Sequence, residues 1–154
     1  MPDVHSPATR SRNMRAIRGK DTRPEMYVRK ALHAAGFRYR LHSRDLPGKP
    51  DLVLPKYRAV VFVHGCFWHQ HNCSMFKMPT ERRDFWREKI TGNATRDAAT
   101  RQKLLDQGWR VAIIWECALK GRNKLPAESL VRTLAEWLSM SSSRTLEIVG
   151  SAAV

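Results

Sequence analysis

Residues 64–73 constrain the fold of this chain more than any other segment. Their sequence, HGCFWHQHNC, holds three histidines, two cysteines and two large aromatic residues without helical or strand periodicity. Thiolates and imidazoles in a reducing compartment favour zinc, and a structural zinc site needs four such ligands. Cys66, His71 and Cys73 supply three ligands, and Cys117, the only other cysteine, can supply the fourth.

A zinc site with these four ligands requires the strands before Cys66 and Cys117 to end close together in the sheet. Residues 59–63 are apolar without alternation, which predicts a central strand covered on both faces, and residues 111–114 predict another buried strand. Cys66 follows the first run and Cys117 follows the second, so parallel neighbouring strands would bring both to one edge. The alternative is that the cysteines are ordinary buried thiols and the histidines are exposed. Their crowding favours the metal site.

The other segments predict an α/β fold with a small mixed sheet flanked by helices. Thr22 and Glu25 form a capping box at the start of a helix, and Gly36 is placed to end it. A Ser-rich end after residue 140 predicts a flexible tail. The predicted elements are helices at 6–17, 22–36, 81–90, 93–107 and 126–138, with a break near Gly92, and strands at 37–41, 52–54, 59–63 and 111–114.

The charge of the chain points to an anionic partner. There are 28 Lys and Arg against 14 Asp and Glu, a formal net charge of +14. Ten Lys or Arg and three Asp or Glu lie in residues 1–40, a net +7 and half of the total. DNA is the first candidate. Because no apolar run is long enough to span a membrane, a membrane partner is disfavoured.

Two histidines remain outside the zinc set. His64 and His69 follow the strand at 59–63, and Asp51 precedes the strand at 52–54, so these side chains can converge at one sheet edge. A carboxylate can hold Mg²⁺ and an imidazole can take a proton from an attacking water, which suits phosphodiester hydrolysis. The alternative is that Asp51 only caps a turn and His64 is an ordinary polar residue.

Several aromatic residues have no obvious place in a core. Phe67 and Trp68 are adjacent in a polar loop, and such a pair can act as a wedge between base pairs. Trp86, Lys89 and Asn93 fall on one helical face, which can stack on bases and reach their edges.

Other apolar residues have a structural alternative. We expect Phe85 and Trp109 to be core residues. Met14 and Ile17 lie in a basic segment and could insert into DNA from the opposite groove, although packing on the domain is the simpler interpretation.

Taken together, these residues resemble the very-short-patch repair (Vsr) endonucleases, which act on T:G mismatches. The resemblance covers about residues 3–138. The matching motifs are ATRSRNMRAI at 8–17, LPGKPD at 46–51, HGCFWH at 64–69, WRV at 109–111 and WECAL at 115–119.

The resemblance implies a restriction-endonuclease-like (PD-(D/E)xK-type) fold and a nick 5′ of the mispaired thymine, leaving a 5′-phosphate and a 3′-hydroxyl. It implies Mg²⁺ at Asp51 and at the carbonyl of Val63. His69 would be the base, and His64 would contact the scissile phosphate or a water on the metal. Glu25 would support this site without binding the metal.

The resemblance also implies contacts with DNA. Phe67, Trp68 and Trp86 would form the wedge beside the mismatch, with Met14 opposite and Lys89 near the mispaired bases. Beside these, we expect Arg15, Ile17 and Asn93 to contact DNA. The substrate would be double-stranded DNA, and a MutL-type repair protein is a possible partner.

The chain divides into a DNA-clamping arm at 1–20, an endonuclease domain at 21–139 and a tail at 140–154. We expect a monomer in the cytoplasm, since three cysteines cannot all pair. The rival hypothesis is a zinc-stabilised DNA-binding module without catalysis.

Overall fold

A computed structural model describes residues 22–151 of the chain. No helix in this part of the chain is both long and apolar enough to cross a membrane. The predicted helix at 6–17 and the arm at 1–20 lie outside the described residues. The elements are α1 (Arg23–Ala34), β1 (Arg40–Leu41), β2 (Leu52–Leu54), β3 (Ala59–His64), α2 (Arg83–Asp106), β4 (Arg110–Trp115), α3 (Ala127–Met140) and β5 (Thr145–Ile148).

The described strands form one mixed sheet in the order β1-β2-β3-β4-β5. The pairs β1–β2 and β2–β3 are antiparallel, whereas β3–β4 and β4–β5 are parallel. The α/β class with a small mixed sheet is therefore confirmed. The parallel register runs from Ala59 beside Arg110 to His64 beside Trp115, which meets the condition that the zinc ligands set.

Helices cover both faces of the sheet. Val28 and Leu32 of α1 pack with Leu130 and Leu134 of α3 against one face. Leu104 of α2 packs with residues of the opposite face. The two central strands are therefore buried on both sides, which explains why residues 59–63 are apolar without alternation.

The first described helix begins as predicted. The side chain of Thr22 accepts a hydrogen bond from the backbone amide of Glu25 at 3.3 Å, and Pro24 occupies the first turn. Gly36 follows the helix with φ of +95°, a left-handed conformation that glycine adopts without a steric penalty. These local signals fix the position of Glu25 relative to the sheet.

Two elements differ from their predictions. The strand at 37–41 is reduced to Arg40–Leu41, which pair with Val53 and Leu52 of β2. The helices predicted at 81–90 and 93–107 are one helix, α2, which passes through Gly92. A glycine inside a helix costs about 1 kcal/mol. That cost is too small to end a helix whose Ile90 and Leu104 are fully buried.

The flexible tail predicted at 140–154 is wrong for the part that the structure describes. Residues 145–148 form β5, which pairs in parallel with β4. The sequence TLEI alternates polar and apolar residues, but over a stretch too short to stand out. Ile148 is buried, and the carboxylate of Glu147 accepts a hydrogen bond from the Trp115 indole at 2.7 Å. The segment is therefore part of the domain.

Candidate functional site

The parallel pairing of β3 with β4 builds the site at one edge of the sheet. His64 and Trp115 are the last residues of the two strands and lie side by side. Cys66 and Cys117 each follow two residues later. The carboxyl ends of parallel strands meet at one edge, which is where open α/β sheets usually bind ligands.

The four predicted zinc ligands lie together at this edge. One ligand atom from each of Cys66, His71, Cys73 and Cys117 lies within 4.8 Å of the others. Nδ1 of His71 is 3.5 Å from Sγ of Cys66 and 3.6 Å from Sγ of Cys117. The His71 ring stacks on Trp115 with ring centroids 4.2 Å apart. Three sulfurs and one nitrogen form a donor set typical of structural zinc.

Backbone amides support two of the sulfurs. The amide of Cys117 donates to Sγ of Cys66 at 3.3 Å, and the amide of Gly150 donates to Sγ of Cys117 at 3.3 Å. Burial raises the pKa of both thiols. A cation must therefore displace their protons, and the amides then stabilise the thiolates. Gly150 was not predicted, because it lies in the segment expected to be a tail.

Asp51 reaches from the start of β2 to β3. Its Oδ2 accepts a hydrogen bond from the backbone amide of Val63 at 2.7 Å. Its side chain is also hydrogen-bonded to Glu25, which is only 2% exposed. Burial is the main cause that raises the pKa of Asp51 to about 8. The Glu25 carboxyl raises it further and the Val63 amide opposes the shift.

This carboxyl pair fits a divalent cation. Two carboxyl groups that share a buried site cannot both ionise easily, and a cation between them removes that difficulty. A third side chain, His42, also faces this site, with Nε2 at 3.5 Å from Oε2 of Glu25. The sequence analysis did not identify His42.

The two histidines left over from the zinc set lie in contact. The rings of His64 and His69 are stacked, with centroids 3.9 Å apart and planes 6° apart. Nδ1 of His69 is 2.5 Å from Oδ2 of Asp97, which belongs to α2. This carboxylate fixes the orientation of the imidazole and leaves Nε2 as the nitrogen that can take a proton. Asp97 is a site residue that the sequence analysis missed.

His64 is neutral in this setting. It is 7% exposed, and burial lowers its pKa to about 3. The neighbouring His69 lowers it further, whereas Asp97 opposes the shift. Its buried Nδ1 has no hydrogen-bond partner among residues 22–151. A neutral imidazole with an unused nitrogen can exchange hydrogen bonds with a ligand without adding charge.

The predicted wedge residues form one aromatic cluster. Phe67 contacts Trp68 at a ring-centroid distance of 5.1 Å and Trp86 at 5.6 Å, and Trp68 lies 5.9 Å from Trp86. All three side chains are half-buried. The cluster therefore joins residues 65–73, named the zinc loop because they hold three of the four predicted zinc ligands, to the start of α2 and keeps part of each ring accessible.

Residues around this cluster correct the predictions in part. Phe85, expected in the core, is 44% exposed; it lies in the first turn of α2, where its ring contacts that of Trp86. Trp109 does pack against the core, as expected. The amide nitrogen of Asn93 donates to the Trp68 carbonyl at 3.0 Å, so Asn93 holds the wedge loop.

The remaining DNA-contact predictions are untested. Lys89 is exposed on α2, and its contact with DNA stays a prediction, as does that of Asn93. Met14, Arg15 and Ile17 lie outside the described residues.

Known proteins that are similar to this chain are DNA endonucleases. A family model described as DNA mismatch endonuclease Vsr matches residues 2–75. The DNA mismatch endonuclease Vsr of Escherichia coli strain K12 is 50% identical over 138 residues, which cover 90% of this chain and 88% of that protein. The type II nicking enzyme V.XorIIP of Xanthomonas oryzae pv. oryzae is 48% identical over 127 residues, covering 82% of this chain and 93% of that protein.

A third relative extends the comparison. The type II nicking enzyme V.NmeAIP of Neisseria meningitidis is 46% identical over 122 residues, covering 79% of this chain and 87% of that protein. A match over 138 of the 154 residues of this chain includes the segment from Cys66 to Cys117. The non-catalytic DNA-binding module is therefore rejected, and the chain is an endonuclease that belongs to the Vsr family of DNA mismatch endonucleases.

Proposed function

We propose that this endonuclease nicks duplex DNA 5′ of the thymine in a T:G mismatch that arises from deamination of 5-methylcytosine. The nick leaves a 5′-phosphate and a 3′-hydroxyl. One arrangement carries the proposal. The Asp51 carboxylate accepts a hydrogen bond from the amide of Val63, and Val63 directly precedes His64. The His64 ring stacks on His69, which contacts Asp97. A cation site and a base thus lie along one strand end, on a core that we assign to the restriction-endonuclease type.

The cation of the reaction is Mg²⁺. Asp51 and the main-chain carbonyl of Val63 would hold it, and Glu25 would support Asp51 from the buried side. When bound, Mg²⁺ stabilises the negative charge that develops on the phosphate during hydrolysis. The oxygen donors and the buried carboxyl pair support this choice, because Mg²⁺ prefers carboxylate, carbonyl and water ligands.

His69 and His64 have separate roles in proton transfer and in phosphate binding. His69 takes a proton from the attacking water at Nε2, because Asp97 holds Nδ1 at 2.5 Å. Asp97 also stabilises the imidazolium that forms. His64 remains uncharged and donates a hydrogen bond to an oxygen of the scissile phosphate.

The zinc loop links catalysis to recognition of the mismatch. Phe67, Trp68 and His69 all lie between the ligands Cys66 and His71. A zinc ion bound to these ligands would therefore fix the wedge and the base relative to each other. Phe67, Trp68 and Trp86 would enter the duplex beside the mismatch, with Lys89 near the mispaired bases and residues 14–17 in the opposite groove.

The setting of the enzyme comprises its compartment, its oligomeric state and its partner. Thiolate ligands need a reducing compartment, so we place the enzyme in the cytoplasm, acting as a monomer. A MutL-type repair protein would be its partner.

The test is a nicking assay on a hairpin duplex with a single T:G pair. We expect the wild type to nick the thymine strand with Mg²⁺ and not with EDTA. Asp51→Asn should bind the same hairpin but nick it about 100-fold more slowly or less, because the carboxylate that holds the cation is lost. Asp45→Asn, at an exposed loop position, is the matched control and should keep full activity.

Two outcomes would contradict the proposal. Equal rates for Asp51→Asn and wild type would remove Asp51 from the cation site. Equal nicking of a T:A hairpin with the same flanking sequence would remove the specificity for the mismatch.

A further inference from the structure

His42 enters the Asp51 site through the pairing of β1 with β2. The antiparallel register pairs Leu41 with Leu52, so the next position brings His42 opposite Asp51. The backbone amide of His42 donates to the carbonyl of Asp51 at 3.2 Å. The strand pairing therefore holds a nitrogen-bearing side chain at a fixed place beside the proposed cation carboxylate.

The backbone of His42 is held in an uncommon conformation. Its φ is +50°, in the left-handed region that costs an L-residue roughly 1 kcal/mol or more. Residues kept in such a conformation cluster at functional sites, where the surrounding structure enforces them. His42 directly follows β1 and is the first residue of the loop that leads to Asp51.

The side chain of His42 completes a three-residue donor set. One ligand atom from each of Glu25, His42 and Asp51 lies within 4.8 Å of the others. Nε2 of His42 is 3.5 Å from Oε2 of Glu25, and Nη1 of Arg29 is 3.5 Å from the same oxygen. Glu25 is 2% exposed and His42 is 25% exposed, so the set is closed on one side and open to solvent on the other.

We infer that His42 is a nitrogen ligand of the divalent cation at Asp51. The inference rests on the proposed function, which places a cation at this carboxylate with Glu25 supporting it from the buried side, and it assigns His42 to a neighbouring ligand position. Oxygen ligands suit Mg²⁺, whereas an imidazole increases the affinity for first-row transition metals. The site should therefore prefer Mn²⁺ to Mg²⁺ more strongly than a site made only of oxygen ligands.

The experiment uses Mn²⁺ as the probe, with the full-length, zinc-loaded protein. Continuous-wave EPR measures Mn²⁺ binding, and pulsed EPR detects ¹⁴N modulation from a directly bound imidazole. We expect this modulation in the wild type and its loss in His42→Gln. Mn²⁺ should still bind to His42→Gln, with a Kd about tenfold higher or more.

Three variants control the assignment. His33→Gln changes an exposed histidine of α1 and should keep the modulation and the affinity. His69→Gln should also keep the modulation, since our inference assigns the bound nitrogen to His42. His42→Glu replaces the nitrogen by oxygen and should retain Mn²⁺ binding while it lowers the preference for Mn²⁺ over Mg²⁺.

The outcomes separate this inference from the proposed function. If Mn²⁺ binds equally to wild type and Asp51→Asn, the cation site of the proposed function is wrong. If Mn²⁺ binding depends on Asp51 but the wild type shows no ¹⁴N modulation, only the role of His42 is overturned. The same holds if the modulation survives in His42→Gln, or if His42→Glu leaves the preference for Mn²⁺ over Mg²⁺ unchanged.

Discussion

At the scale of single residues, the raised pKa of Asp51 should make binding at the proposed cation site depend on pH. Its pKa is raised to about 8, so below pH 8 the metal-free protein carries a proton at this site. The cation must displace that proton, and the Kd for Mg²⁺ should fall about tenfold per unit as pH rises from 6 to 8. Above pH 8 the Kd should become constant. Isothermal titration calorimetry with Mg²⁺ at pH 6, 7, 8 and 9 measures this dependence.

Two variants sharpen this prediction. Asp45→Asn should show the same slope as the wild type, since Asp45 is exposed and lies in the loop before β2. Asp51→Asn should lose Mg²⁺ binding at every pH. A wild-type Kd that is the same at pH 6 and pH 8 would contradict the raised pKa of Asp51.

Asp97 is the second residue whose role can be measured. It contacts Nδ1 of His69, so Asp97→Asn can no longer stabilise the imidazolium and favours the wrong tautomer. We expect single-turnover nicking to slow by about 100-fold or more, while the Kd for the T:G hairpin stays nearly unchanged. Asp106→Asn, at the exposed end of α2, is the control. A rate equal to that of the wild type would remove Asp97 from the catalytic pair.

The site residues that the sequence could predict are those that lie close together along the chain. Cys66, His71 and Cys73 stand out by chemistry and spacing, and the condition they set on the strands also finds Cys117. Asp97 gives no such signal, because it is one carboxylate among many charged groups on α2 and lies 28 residues from His69. His42 enters its site through the pairing of β1 with β2 and has a positive φ, and no local sequence pattern indicates either feature.

At the scale of elements, long apolar segments could be predicted and short ones could not. Residues 59–63 of β3 and 111–115 of β4 are all apolar, so both the burial and the central position of these strands follow from the sequence. The four residues of β5 alternate too briefly to be recognised, and their pairing depends on the edge that β4 offers. The break expected at Gly92 is absent, because packing of α2 outweighs the local preference of one residue.

The element after β5 supplies a test of the Cys/His cluster. A Cβ built on Gly150 would lie 2.6 Å from the carbonyl oxygen of Cys117 and 2.8 Å from that of Asn123. Gly150→Ala must therefore shift the backbone at this position and weaken the hydrogen bond that the Gly150 amide donates to the Cys117 sulfur. We expect zinc to be released to a chromogenic chelator about tenfold faster, together with a lower Tm.

The control for this experiment is another glycine. Gly92→Ala places a Cβ 3.4 Å from the flexible Arg96 guanidinium and should retain zinc, with equal or higher Tm. Cys117→Ser should lose the metal altogether. Zinc release from Gly150→Ala at the wild-type rate would show that the C-terminal segment does not support the cluster.

At the scale of the whole molecule, some basic residues stabilise the fold and others remain available to bind DNA. The guanidinium of Arg110 donates to the carbonyls of Trp137, Leu138 and Ser141 at the end of α3. Arg58 donates to the carbonyl of Gln107. These arginines lie at the starts of β3 and β4, opposite the edge that carries the site, and they serve the fold. The charge that binds DNA must therefore come from other residues.

The basic segment at residues 10–20 is the strongest candidate for that charge. Replacing Arg10, Arg12, Arg15, Arg18 and Lys20 by Gln removes five positive charges. If each contacts a phosphate, the slope of log K against log salt concentration should become less steep by about 4.5. Phosphate contacts position the protein without reading bases, so affinity should fall equally for T:G and T:A duplexes. Fluorescence anisotropy across a salt series measures both slopes. Lys56→Gln, in the turn between β2 and β3, should leave the slope unchanged. An unchanged slope in the five-site variant would assign the contacts with phosphate to other cations.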